Sequence, residues 1–169
     1  LSEAGYPDGY GFPVVEGLVP CSLVSSSIGE YLQTRWREDL GIEIDWKTME
    51  WPAFLDRLYG RPPHLHLNMW LADYADPDNF LRVCFQQMSP SLGWEDEAYS
   101  ELVEGARRIA HQDRRMELYR QADKTLVDEA VIILLHYGRS YLLVKPWVSK
   151  YPTSALGGRF WKDVVVEPH

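Results

Sequence analysis

Between Val14 and Trp70 the hydrophobic period of the chain switches repeatedly, which restricts the fold to strand–helix–strand units. Val14 to Val19 is an extended apolar stretch, entered through the turn chemistry of Pro-Asp-Gly and Gly-Phe-Pro in Tyr6 to Pro13. Ser25 to Leu40 places Ile28, Tyr31, Leu32, Trp36 and Leu40 at helical spacing, with serines upstream to cap it and Gly41 to stop it. Ile42 to Lys47 alternates like a half-buried strand. Glu50 to Tyr59 reads as a short helix that tolerates Pro52 in its first turn and is broken by Gly60-Arg-Pro-Pro. His64 to Trp70 alternates again, with His64, His66, Asn68 and Trp70 on one face and Leu65, Leu67 and Met69 on the other. The order predicts parallel strands joined by helical crossovers. Open sheets of this kind gather ligands at the carboxyl ends of their strands, which directs attention to Trp70 to Tyr74.

The second half is predicted to be mostly helical. Asp76-Pro77 has the form of an N-cap with proline at N1, starting a short helix through Leu81. Glu95 to Ala110 and Asp113 to Glu129 are amphipathic, the latter with Leu118, Ala122, Leu126 and Val127 as its buried stripe. Val131 to His136 and Ser140 to Val144 are expected to be strands, Lys145 to Gly158 a loop, and Lys162 to Glu167 a short final strand. Leu1 to Ala4 with Gly5 reads as the last turn of a helix, so the chain is expected to be a fragment.

Composition narrows the function. Of 169 residues 46% are hydrophobic and 25% charged, a globular balance, while a formal charge of −8 argues against a nucleic-acid partner. No apolar run approaches membrane-spanning length. Aromatic residues reach 13%, enough to line a pocket as well as a core.

The richest constellation is Met69-Trp70-Leu71-Ala72-Asp73-Tyr74-Ala75-Asp76-Pro77-Asp78-Asn79-Phe80. It offers an aromatic wall, a short extended backbone and a carboxylate. Asp73 either receives an ammonium group or, like Asp76, caps the following helix. Other candidates are poorer. His64 and His66 have same-face spacing without a completing ligand, so no metal is expected. Cys21 and Cys84 match no metal spacing, and whether they pair is left open. His136 lacks a nucleophile motif, and Glu95, Asp96, Glu97 and Glu101 suit a helix start. Arg107, Arg108, Arg114 and Arg115 read as a solvated helix face with acidic neighbours. Gly157-Gly158-Arg159 lacks the frame of a phosphate loop.

The stretch from Trp70 through Asp73-Tyr74 to Asp76-Pro77-Asp78-Asn79-Phe80 resembles the family 5 extracellular solute-binding proteins, the dipeptide-, oligopeptide- and nickel-binding components of ABC importers. Similarity extends through Leu1 to Pro13, Ile28 to Gly41, Glu50-Trp51 with Phe54, Tyr99 to Tyr119 and Ala130 to Leu135. The resemblance implies an α/β, periplasmic-binding-protein-like (type II) lobe, a mixed sheet flanked by helices. Residues 1–145 would form most of the C-terminal lobe and 146–169 a terminal segment returning toward the other lobe. It further implies a non-enzymatic, extracytoplasmic protein, periplasmic or lipoprotein-anchored, that needs no cofactor. Its partners would be a peptide or other small solute, the N-terminal lobe and a membrane permease. By the same resemblance Trp70 and Leu71 line the ligand and Asp73 holds a peptide's α-ammonium group. Relatives that bind nickel complexes, haem, sugars or opines leave the ligand class open. Position 71 is Leu where some oligopeptide binders carry Cys. The alternative is a ligand-sensing domain of a transcriptional regulator built on the same lobe.

Overall fold

The computed structural model describes residues 1–139, 141–154, 156, 158 and 160–168. It divides into two compact units, Leu1–Met69 with Met88–Gly93, and Trp70–Gln87 with Trp94–His169.

The first unit contains the anticipated alternation: β1 (Val15–Pro20), α1 (Leu23–Leu40), β2 (Ile44–Met49), α2 (Trp51–Gly60) and β3 (Leu65–His66). The sheet order is β2-β1-β3, and both neighbours run parallel to β1, so α1 and α2 are its crossovers. Period-two geometry sends successive β1 side chains to opposite faces. Leu18, fully buried, packs against Phe54 and Leu58 of α2. Val19 points the other way, toward Gly29 of α1. On that face Trp46 lies over Gly17, its register partner, and stacks on Trp36 at 6.5 Å. Tyr31 and Leu40 of the expected α1 stripe are exposed.

Local signals act where expected. Ser22 caps α1 by accepting the Ser25 N–H, and Gly41 ends it in the left-handed region at φ 67. A β-carbon at Gly41 would sit 2.2 Å from the Asp8 carbonyl oxygen. Gly41→Ala therefore meets both backbone strain and a backbone wall, and should lose about 2–4 kcal/mol in urea unfolding. A variant as stable as the parent would contradict this close approach.

The strand expected from His64 to Trp70 is only two residues long. Leu67 N–H still donates to Leu18, but β1 ends at Pro20, which has no N–H to extend the ladder. The Asn68 side chain then takes the Met69 N–H.

The second unit is helical. Helical structure begins at Pro77, passes through a π-helical stretch at Asn79–Cys84, and continues into α3 (Phe85–Leu92), whose residues from Met88 onward belong to the first unit. α4 (Glu97–Arg108), capped by Asp96, and α5 (Gln112–Asp128) form a hairpin. Leu81, Tyr99, Val103, Ala106, Tyr119, Ala122 and Leu126 make its core, with Trp94 edge-on to both Tyr99 and Phe85 and Phe85 tilted against Tyr99. The Tyr99 hydroxyl donates to the Leu81 carbonyl. Tyr119 takes the buried place expected for Val127, which is half exposed.

Val131 and Ile132 pack on this core, but neither Val131 to His136 nor the described part of 140–144 is a strand. Ile133, Leu134, Leu142 and Leu143 are exposed, and no described strand pairs with them. A strand without a partner ladder has no backbone reason to form. Ser140 itself, and Gly157 and Arg159 of the glycine pair region, lie outside the described residues. In the expected loop, β4 (Val148–Lys150) pairs antiparallel with β5 (Val165–Val166). Among the described residues no helix is long and apolar enough to cross a membrane.

Candidate ligand-binding site

Trp70 opens the second unit, and residues 70–76 carry no regular secondary structure. Such a segment needs side chains to fix its course. Asp76, Asp78 and Asn79 supply them.

Asp76 accepts the Asp78 N–H at 2.9 Å, the expected cap with Pro77 at N1. Its carboxylate also receives both terminal nitrogens of Arg115 from α5, at 2.7 and 2.5 Å. This fork-to-carboxylate geometry is the strongest form of the pair. The Arg115 guanidinium lies 4.9 Å from the Tyr119 ring centre. It holds the Asp76 carboxyl below the usual carboxylate range.

Asp78 is 5% exposed. It accepts from Arg82 Nε at 2.7 Å and Nη2 at 2.6 Å, from the Tyr74 hydroxyl at 2.5 Å and from the Tyr119 hydroxyl at 3.1 Å. Arg82 foremost, and the two tyrosines with it, outweigh burial and bring its pKa down to about 2. Burial, then the neighbouring Asp78 charge, pushes the Tyr119 hydroxyl up to about 12.

Asn79 is fully buried. Its Oδ1 accepts the Trp70 indole N–H at 2.7 Å and the Asp73 backbone N–H at 3.3 Å.

These anchors leave three predicted residues presented together. Trp70 is half-buried with its ring tethered, Leu71 is 72% exposed, and Asp73 is exposed. Among the described residues the Asp73 carboxylate makes no hydrogen bond or ion pair, and Leu71 and Ala72 make no backbone hydrogen bond. The segment thus offers one uncommitted anion, free backbone donors and acceptors, and an apolar side. Such a set has the chemistry that a cationic group at the end of an extended, amide-bearing ligand would require.

Arg115 departs from the solvated helix face expected of it. It is no solvated residue: its partner lies 39 positions away, and its side chain is 17% exposed. The signal was its spacing, because Arg115, Tyr119, Ala122 and Leu126 share one helical stripe. Arg107 and Arg108 do pair with Glu104 within α4 as expected.

Other candidates stay apart from this arrangement. His66 is half-buried, which lowers its pKa, while His64 is exposed. Among the described residues no group of three His, Cys, Asp or Glu is placed to hold a metal. Cys21 and Cys84 are free thiols, and burial pushes Cys84 up to about 11.

No protein-family model matches the chain. It is 29% identical over 117 residues to the periplasmic oligopeptide-binding protein OppA of Salmonella typhimurium, covering 69% of this chain and 22% of that protein. It is 25% identical to the dipeptide-binding protein of Escherichia coli, covering 99% of this chain and 32% of that one. Identity is 30% over 122 residues to the probable deoxycholate-binding periplasmic protein YgiS of Escherichia coli, covering 72% and 23%. The chain therefore spans about a third or less of the curated relatives it matches. In fold it is similar to the substrate-binding domain of an oligopeptide ABC transporter from Bacillus anthracis, at a TM-score of 0.77 with 22% identity, over 99% of this chain and 33% of that one. The periplasmic binding protein DppA of Helicobacter pylori, solved with the peptide STSA, gives a TM-score of 0.62 and 26% identity over 78% and 26%. These likenesses bear out the α/β, periplasmic-binding-protein-like architecture.

Proposed function

Because this chain belongs to the family 5 solute-binding proteins, we propose that the protein carrying it captures an oligopeptide or dipeptide-like solute outside the cytoplasm and delivers it, unaltered, to a membrane permease of the ABC type. The observation that carries this reading is the division of labour among neighbouring carboxylates. Asp76 and Asp78 are committed to Arg115 and Arg82, whereas Asp73 is exposed and its carboxylate has no partner among the described residues. Asp73 takes the ligand's α-ammonium group, Trp70 packs beside its first residues, and Leu71 lines the apolar side. An anion such as a bile acid would meet the wrong charge at Asp73, so the name of the YgiS relative does not redirect the assignment. A regulator's sensing domain is not favoured either, since the relatives are named as periplasmic or transporter components.

Residues 1–145 form most of one lobe in this proposal, and 146–169 return toward the other. The exposed apolar side chains of Ile133, Leu134, Leu142 and Leu143 support it. They suit a strand that a sheet elsewhere in the protein completes.

The test is calorimetry of the full-length protein with trialanine, followed by chromatography of the mixture. A saturable one-to-one heat with intact peptide is expected. The 169-residue chain alone should bind at least about a hundred-fold more weakly, because half a cleft buries too little of the ligand. Hydrolysed peptide, or no heat across a panel of di- and tripeptides, would refute the proposal.

A further inference from the structure

Asn79 differs from the other buried polar residues of the segment in what it holds. Asp76 and Asp78 bind arginines, but the Asn79 side chain binds the two residues on which ligand contact is proposed to rest. One oxygen takes the Trp70 indole N–H at 2.7 Å and the Asp73 backbone N–H at 3.3 Å. An amide carbonyl has two lone pairs and so accepts both. Only the oxygen end of the amide serves, since both partners are donors.

The anchoring is directional. Asn79 N–H donates to the Asp76 carbonyl at 3.1 Å, which places Asn79 in the first turn of the helix. Arg115 and Arg82 hold that turn through Asp76 and Asp78. Asn79 is 0% exposed, so water does not compete for its oxygen. Trp70 and Asp73 lie outside any regular element, and no other described side chain accepts a hydrogen bond from both.

We infer that Asn79 is a positioning residue that fixes the separation between the Trp70 ring and the Asp73 carboxylate, and so selects ligands whose cationic end and adjoining chain match it. This rests on the peptide reading of Asp73. Asn79 does not touch the ligand; it acts through the two residues that do.

The experiment compares full-length wild type with Asn79→Leu, Asn79→Asp and Asp73→Ala. Calorimetry with trialanine and N-acetyl-trialanine is combined with the melting temperature of each protein. Asn79→Leu keeps the volume and removes the acceptor. It should lose about ten-fold or more in affinity for trialanine, and less than about three-fold for the acetylated peptide. Asn79→Asp keeps an acceptor oxygen and should regain most of that loss. A purely structural role would move the melting temperature and both peptides together.

The inference is overturned if Asn79→Leu binds trialanine within about three-fold of wild type, or loses both peptides equally. Should Asn79→Leu not fold, Asn79→Asp decides: affinity for trialanine near wild type supports the role, and a loss as large as that of Asp73→Ala overturns it. If Asp73→Ala itself fails to discriminate the peptides, the ammonium assignment falls and takes this inference with it. If Asp73→Ala discriminates and Asn79→Leu does not, only the positioning role falls.

Discussion

Replacing Asp78 by alanine is expected to destabilise the helical unit by about 3–5 kcal/mol, as when one partner of a buried ion pair is removed. The carboxylate accepts four hydrogen bonds, and its side chain is only 7% exposed. Its loss removes the charge partner of the Arg82 guanidinium, at 20% side-chain exposure, and the acceptor for the hydroxyl of the buried Tyr119. That loss is a large share of the stability of an ordinary domain. Far-ultraviolet circular dichroism against urea measures it, and a change below about 1 kcal/mol would contradict the network.

Acid offers a second view of the same group. The Asp78 pKa is held at about 2, against an ordinary 3.8. A carboxyl depressed on folding contributes stability that is fully present above its unfolded value and fades as pH falls through its folded value. The shift corresponds to about 2 kcal/mol, lost between roughly pH 4 and pH 2. Asp76 adds to it in the same direction. In Asp78→Asn the stability profile over that window should flatten. An unchanged acid slope would assign the effect to other carboxylates.

Much of this fold was legible because its signals are local. Ser22, Gly41, Asp96 and Pro52 mark helix ends by chemistry that acts within one turn, and all four do so in the structure. The illegible parts depend on partners distant in sequence. His64 to Trp70 alternates like a strand, yet its length was decided by Pro20 on the neighbouring strand. Val131 to His136 has the composition of a strand buried on both faces, and composition cannot supply a ladder. The motif directs attention to Trp70, Leu71 and Asp73, which the structure places on one irregular segment, but the residues that hold that segment were partly hidden. Arg115 sat among other arginines, and only its place on the Tyr119, Ala122 and Leu126 stripe distinguished it.

Asp73→Ala in the full-length protein should weaken trialanine by at least about thirty-fold, because truncating one member of a desolvated, hydrogen-bonded charge pair costs about 2 kcal/mol or more. Exposed as Asp73 is in the chain described, a pair with a solvated cation would contribute little. The large effect requires the ligand to close the site against water, so its size reports on closure as well as on contact. Neighbouring carboxylates cannot substitute, since Asp76 and Asp78 are already bound by arginines and lie partly or wholly buried. N-acetyl-trialanine has no α-ammonium group and should be nearly indifferent to the substitution. Asp73→Asn, which keeps an acceptor without the charge, should fall between the two. Calorimetry at low and moderate salt separates contact from steering, because a desolvated pair resists screening that would abolish a surface attraction. Equal weakening of both peptides would mean that Asp73 shapes the segment instead of binding the amine.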